Sequence, residues 1–211
     1  MPDPTLHTIS SSAGMAPHIL LREIGAPFGL AILDRERGEH KAPGYLRLNP
    51  MGRVPTLVDG DQVIFESAAI CLHLVDKHPD AGLAPPIGTA ERARFYQWLV
   101  FLTNTVQADM MPYFYPERYA PAREAERVRA IMVDRLMGHF ALLDRELAGK
   151  DFLVGDRFSA ADAYLFMVAR WSRHMPRKAR ELPNLGPYLA RVQARPSVQA
   201  VYAAEACEAF H

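Results

Sequence analysis

Two short stretches carry residue types suited to holding a small zwitterionic peptide: Val54-Pro55 and Glu66-Ser67. The residues from Ser67 to His78 read as a helix stopped by Pro79. Its first backbone N–H groups and the positive end of its dipole attract a carboxylate. Ser67 adds a hydroxyl there, and Glu66 could pair with an ammonium group, so the two suit an α-amino-acid head. Val54 could offer its N–H and C=O to an extended ligand, in the manner of an added strand. A cis peptide at Val54-Pro55 would turn both groups sideways, although only about 5–6% of X-Pro bonds are cis. Taken singly, each feature has an ordinary explanation: Glu-Ser caps helices, and Val-Pro begins strands.

The elements that must position these residues alternate over the first eighty positions. Leu6 to Ile9 reads as a strand, followed by the turn Ser10-Ser11-Ser12-Ala13-Gly14. Met15, Ile19, Leu20 and Ile24 then recur at helical spacing, with Pro17 near the first turn and Gly25 as a stop. Phe28 to Leu33 is a second strand, and the charged stretch from Asp34 to Gly44 is expected as an exposed loop. Val54 to Val58 and Val63 to Phe65 flank Asp59-Gly60-Asp61-Gln62, a hairpin signal. The order is β-α-β, then β-β-α.

Beyond a linker at 81–88 the chain becomes helical. Thr89 caps a helix that runs through Trp98 and Phe101 towards Met111, where Pro112 interferes. Pro121 fits the first turn of a long helix with Ile131, Leu136, Phe140 and Leu143 on one face. Ser159-Ala160-Ala161-Asp162 is a capping-box pattern preceded by Phe158 as a hydrophobic staple. Two shorter helices follow, around Pro187 to Arg195 and Ser197 to Phe210. The expectation is an α/β domain over 1–80 and an all-helical domain over 89–211.

Composition excludes several classes. Lys plus Arg and Asp plus Glu are 24 each, net zero, with no block of like charge. The footprint of a nucleic-acid or membrane-surface binder is absent, and no apolar stretch would span a bilayer. The two cysteines, Cys71 and Cys207, show neither metal-like nor CxxC spacing. No signal-peptide pattern opens the chain, so a reducing cytoplasm is the expected location and no metal is expected.

Asn49-Pro50-Met51-Gly52-Arg53-Val54-Pro55-Thr56-Leu57, followed by Val63-Ile64-Phe65-Glu66-Ser67-Ala68-Ala69-Ile70, resembles the glutathione-site signature of cytosolic glutathione transferases. Phe158 to Asp162 is similar to the capping box and staple of that family. The resemblance covers nearly the whole chain. It implies a thioredoxin-like domain with cis-Pro55, a C-terminal helical bundle, glutathione as co-substrate, and a homodimer. By the same resemblance Glu66 and Ser67 hold the γ-glutamyl end, and Val54 and Pro55 meet the cysteinyl backbone. His40, or its neighbour Lys41, would contact the glycine carboxylate.

The resemblance also implies a hydroxyl donor after the first strand, which favours glutathione thiolate over thiol. Ser11 and Ser12 fall where zeta-like members carry Ser-Ser-Cys, with Ala13 in the place of the cysteine. Pro17-His18-Ile19 and Leu21-Arg22-Glu23 look closer to the bacterial beta class, whose characteristic cysteine also lands on Ala13. Cysteine-based chemistry there is disfavoured, and Ser11 or Ser12 is the expected donor, with Ser10 the outsider. Gln107, Met111 and Tyr115 are expected in a soft wall for an apolar or electrophilic second substrate. Competing readings are a non-catalytic glutathione-fold carrier or interaction protein, a glutathione-dependent isomerase, and a thioredoxin-type reductase, which lacks the cysteine it needs.

Overall fold

The computed structural model describes residues 3–210, which form two compact units. One runs to Ala84 and takes back residues 194–209; the other spans Pro85–Gln193 together with Phe210.

In the first unit, β1 (Thr5–Thr8) and β2 (Gly29–Ile32) pair in parallel, and α1 (Met15–Ile24) makes the crossover that such a pair requires. β3 (Thr56–Asp59) lies antiparallel to β1, and β4 (Gln62–Phe65) antiparallel to β3, giving the order β2-β1-β3-β4. Gly60 has φ 59°, the left-handed value a tight hairpin needs, and Asp59 pairs directly with Gln62. α3 (Ser67–Lys77) follows, and α1 packs against both α3 and α9 (Pro196–Glu205). Leu6, Leu57, Met15, Ile19, Leu20, Ile70 and Leu74 are fully buried and form the core. At its C-terminus α1 stops at Gly25, φ 73°, whose N–H donates to the Leu21 carbonyl. This is a thioredoxin-like arrangement.

One expectation changes in this unit. The charged stretch after Asp34 contains a 3-10 turn at Glu39–Lys41 and a one-turn helix, α2 (Pro43–Leu46), with Pro43 at its first position. A single turn is too short to register as helical periodicity.

The second unit is a helical bundle: α4 (Ala90–Phe101), a π-helical segment at Leu102–Gln107, α5 (Ala108–Phe114), α6 (Ala125–Glu146), α7 (Ala160–Arg170) and α8 (Leu185–Gln193). The Thr89 hydroxyl caps α4 by accepting from Arg92 N–H at 3.1 Å. Pro112 does not end its helix. The chain widens into the π turn upstream, and α5 carries Pro112 inside it to Phe114. Pro121 precedes a short 3-10 turn rather than opening α6, and Ile131 is 47% exposed while Leu136, Phe140 and Leu143 are buried. α7 is buried along its whole length. The Asp162 carboxylate accepts from Ser159 N–H, the Ser159 hydroxyl, Leu153 N–H and the Tyr188 hydroxyl, all within 2.7–2.8 Å. No helix among the described residues is long and apolar enough to cross a membrane.

Candidate functional site

The site of the first unit is built from three segments that the sheet brings together. The first is the stretch leading to Pro55. Gly52 N–H donates to the Asn49 carbonyl at 2.8 Å, and Gly52 takes φ 57°. A side chain at Gly52 would meet Lys41 Nζ at 2.8 Å and the His40 carbonyl at 3.0 Å, so the glycine makes room for that loop. Two side chains then grip the Arg53 carbonyl: Asn49 Nδ2 at 2.9 Å and the Tyr45 hydroxyl at 2.5 Å. The next peptide, Val54-Pro55, is cis.

The second segment is the start of α3. Glu66 adopts φ 73° and ψ 116°, a conformation uncommon for a residue with a side chain. Its side chain is exposed, whereas Ser67 is only 4% exposed. The Ser67 hydroxyl donates to the Ala13 carbonyl at 2.7 Å, which ties this helix start to the serine turn.

The serine turn is the third segment. The Thr8 hydroxyl lies 3.2 Å from the Ile9 carbonyl and shares a 3.2 Å hydrogen bond with the Ser12 hydroxyl. Ser12 in turn accepts from Gly14 N–H at 3.3 Å. A Cβ on Gly14 would sit 1.9 Å from Thr8 Oγ1 and 3.5 Å from the Pro55 ring, so the turn packs closely on both the strand end and the cis-proline. Ser10 donates to the Glu205 carbonyl at 2.7 Å. Ser11 has φ 60°, and its N–H donates to Glu205 Oε2 at 3.0 Å. The other Glu205 oxygen is 2.8 Å from His18 Nδ1, with both side chains fully buried. Arg22 Nε donates to His18 Nε2 at 3.4 Å.

The electrostatics sort the remaining candidates. Burial, then Lys41 and Arg35, hold the His40 imidazole below its ordinary pKa, and its shielded Nδ1 has no hydrogen-bond partner. Beside it, Lys41 Nζ donates to the Met51 carbonyl at 3.2 Å. Burial pushes the Cys71 thiol well above the usual range, and the residue is fully enclosed, so it is not a nucleophile.

Gln107, Met111 and Tyr115 belong to the second unit. Gln107 closes the π segment, and its Oε1 accepts a short hydrogen bond from the Tyr164 hydroxyl. Met111 is half-buried on α5, and its carbonyl accepts from Tyr115 N–H at 2.9 Å. The Tyr115 ring lies 4.1 Å beneath the Arg118 guanidinium. Among the described residues no group of three or more His, Cys, Asp or Glu side chains is placed to hold a metal ion.

Sequence reasoning missed Thr8, Tyr45, His18 and Glu205. Thr8 and Tyr45 stand in ordinary strand and loop patterns, and Glu205 lies nearly two hundred residues from the turn it serves. Only the His18 position, buried on the apolar side of α1, carried a signal.

A thioredoxin-like domain with a cis-proline, joined to a helical bundle, defines the class of fold. The chain matches "Glutathione S-transferase, N-terminal domain" over residues 5–76 and "Glutathione S-transferase, C-terminal domain" over residues 101–196. It is similar to glutathione S-transferase GST-4.5 of Xanthomonas campestris, 33% identical over 95% of this chain and 98% of that protein. Among solved structures, a sphingomonad glutathione S-transferase complexed with glutathione matches with a TM-score of 0.86 and 34% identity, over 97% of this chain and 100% of that one. A bacterial beta class enzyme of Sphingomonas chungbukensis matches at 0.84 and 36%, over 95% and 98%. The protein belongs to the glutathione S-transferase family and is a transferase of this kind.

Proposed function

We propose that the protein binds glutathione across the first unit and lowers the pKa of its thiol with a serine hydroxyl, for attack on an electrophilic small molecule. The observation that carries this reading is the meeting of the cis Val54-Pro55 segment, the start of α3 and the serine turn, through the Gly14–Pro55 packing and the 2.7 Å Ser67–Ala13 bond. A sphingomonad relative complexed with glutathione and a Sulfitobacter homolog with bound glutathione support the ligand. The γ-glutamyl carboxylate meets the N–H groups at the start of α3, its ammonium meets Glu66, and the cysteinyl backbone pairs with Val54 beside Pro55. Lys41, with His40 beside it, serves the glycine carboxylate.

Of the two expected donors we favour Ser11. Ser11 is half-buried at the bend of the turn, where φ is 60°, whereas Ser12 is only 7% exposed and its hydroxyl accepts from Gly14 N–H within the turn. A hydroxyl donated to sulfur lowers the thiol pKa and so raises the nucleophile fraction at neutral pH. Gln107, Met111 and Tyr115 supply the wall for the acceptor. The working form is a homodimer in the cytoplasm, with the glutathione domain over 1–80, the linker over 81–88 and helices over 89–211, of which residues 194–209 pack with the first unit. Met51, Val63 and Phe65, each more than 40% exposed in the first unit, give an apolar surface consistent with self-association.

Difference ultraviolet absorbance on adding glutathione tests the thiol activation. The expected result is a thiolate signal at neutral pH that Ser11→Ala reduces. Tight binding without thiolate in the wild type would replace this reading with that of a non-catalytic carrier.

A further inference from the structure

We infer that Ser67 is a positioning residue for the serine turn as well as a neighbour of the ligand's γ-glutamyl end, acting through the peptide group that joins Ala13 to Gly14. The inference deepens the function proposed above and rests on its placement of thiol activation in that turn.

The geometry is specific to one peptide plane. The Ala13 carbonyl and the Gly14 N–H belong to the same rigid amide, so fixing either end fixes both. Ser67 Oγ donates to the carbonyl end at 2.7 Å. Ser12 Oγ accepts from the N–H end at 3.3 Å, and Ser12 is itself anchored to Thr8 at 3.2 Å. The plane is thus gripped from α3 on one side and from β1 on the other. Ser11 lies two residues before Ala13, and Met15, the first residue of α1, follows Gly14. Releasing one grip lets the plane rotate, and the rotation is passed to the bend that carries Ser11.

A hydroxyl has one proton. Because the Ser67 proton lies on the Ala13 carbonyl, Ser67 faces an arriving carboxylate with its backbone N–H, while its side chain keeps the turn in shape. Glu66, adjacent in sequence and exposed, has no bond of this kind to the turn among the described contacts. Two neighbouring residues of one subsite therefore have separable duties: Glu66 serves affinity alone, whereas Ser67 serves affinity and the state of the bound thiol.

The test compares Ser67→Ala, Ser67→Thr and Glu66→Gln with the wild type. Glutathione affinity is measured by calorimetry, and thiolate absorbance is followed across pH at saturating glutathione, so that incomplete binding cannot imitate a change in the bound thiol. Ser67→Ala is expected to lower the thiolate fraction of bound glutathione about tenfold below the transition, which equals an upward displacement of about one pH unit. Ser67→Thr, which keeps the hydroxyl, restores the wild-type curve. Glu66→Gln weakens affinity and leaves the saturated curve where it was. If Ser67→Ala folds poorly, Ser67→Cys, a weaker donor in the same place, is expected to give a smaller displacement in the same direction.

A saturated curve for Ser67→Ala that superimposes on the wild type overturns the inference. A wild type that binds glutathione without any thiolate signal instead overturns the underlying assignment of thiol activation, so the two failures are distinct. An unchanged affinity with a displaced curve supports the link to Ala13 and removes Ser67 from the γ-glutamyl subsite.

Discussion

The serine turn of the first unit and the segment from Gln107 to Tyr115 of the second are specified in different ways. In the turn, successive groups are tied by directed hydrogen bonds to β1, α3 and α9, and two residues depend on the space left by Gly14. The 107–115 segment is held by a π turn, a proline inside its helix and a few ring contacts, with Phe114 40% exposed. Under the proposed function the turn places one hydroxyl within hydrogen-bond distance of one sulfur, a task that tolerates little freedom because proton donation weakens steeply with distance and angle. A surface that receives an apolar acceptor is shaped by packing, which many side chains satisfy. The contrast explains why the co-substrate end is readable from residue types while the acceptor's chemistry is not.

Substitutions that break the contrast should separate by size. Gly14→Ala is expected to be the most damaging, since its Cβ would fall 1.9 Å from Thr8 Oγ1 and 2.7 Å from Thr8 Cβ. Thermal or urea unfolding should show a loss of about 1–3 kcal/mol, with the thiolate signal lost as well. Thr8→Ala in the same chain should recover only part of it, because the Cβ clash persists. Next, Ser11→Ala should lower kcat/KM by about 10²-fold, within the range of a removed proton donor. Ser12→Ala should cost about 1 kcal/mol of stability with a smaller kinetic effect, since its bonds serve the turn. Steady-state kinetics alongside unfolding curves distinguish the two, and equal kinetic losses would erase the distinction between Ser11 and Ser12.

On the other side of the comparison, Gln107→Ala should change KM for the acceptor only a few-fold and cost about 1 kcal/mol for the lost bond to Tyr164. The smallest effect concerns acid. Burial raises the Asp109 carboxyl, but hydrogen bonds and charge from Arg135 and His139 outweigh it and hold the pKa below the ordinary value. A depressed carboxylate stabilises the fold above its unfolded pKa, about 3.9, and that contribution is lost as pH falls through the lower folded value. Arg135 is 56% exposed, so solvent limits the effect to under about 1 kcal/mol. Asp109→Asn should correspondingly flatten the acid limb of a stability-against-pH curve without moving the thiolate titration.

What could be read ahead of the structure had short-range causes. Asp59-Gly60 announces its own hairpin, Thr89 its own cap, and Ser159 with Asp162 its own capping box. The glutathione signature was legible because its residues stand in a fixed order around that hairpin. The misreadings have long-range causes. Ile131 keeps helical spacing with Leu136 and Phe140 yet faces solvent, because the surroundings of a helix decide which stripe is covered. Pro112 is accommodated by a π turn that no local pattern signals. α9 shows an ordinary helical pattern, and nothing in that pattern reveals that it packs on α1 rather than among the helices before it.

That packing has a bearing on how the protein is made. Residues 194–209 complete the first unit, and Glu205 supplies the acceptor for Ser11 N–H and His18 in its interior. At about 5–20 residues per second of synthesis, the strands and α1 leave the ribosome several seconds or more before their last wall exists. Until then His18 and the serine turn lack their carboxylate partner, and the whole helical bundle is translated in the interval. The serine turn is therefore translated before the helical bundle and gains its last partner after it.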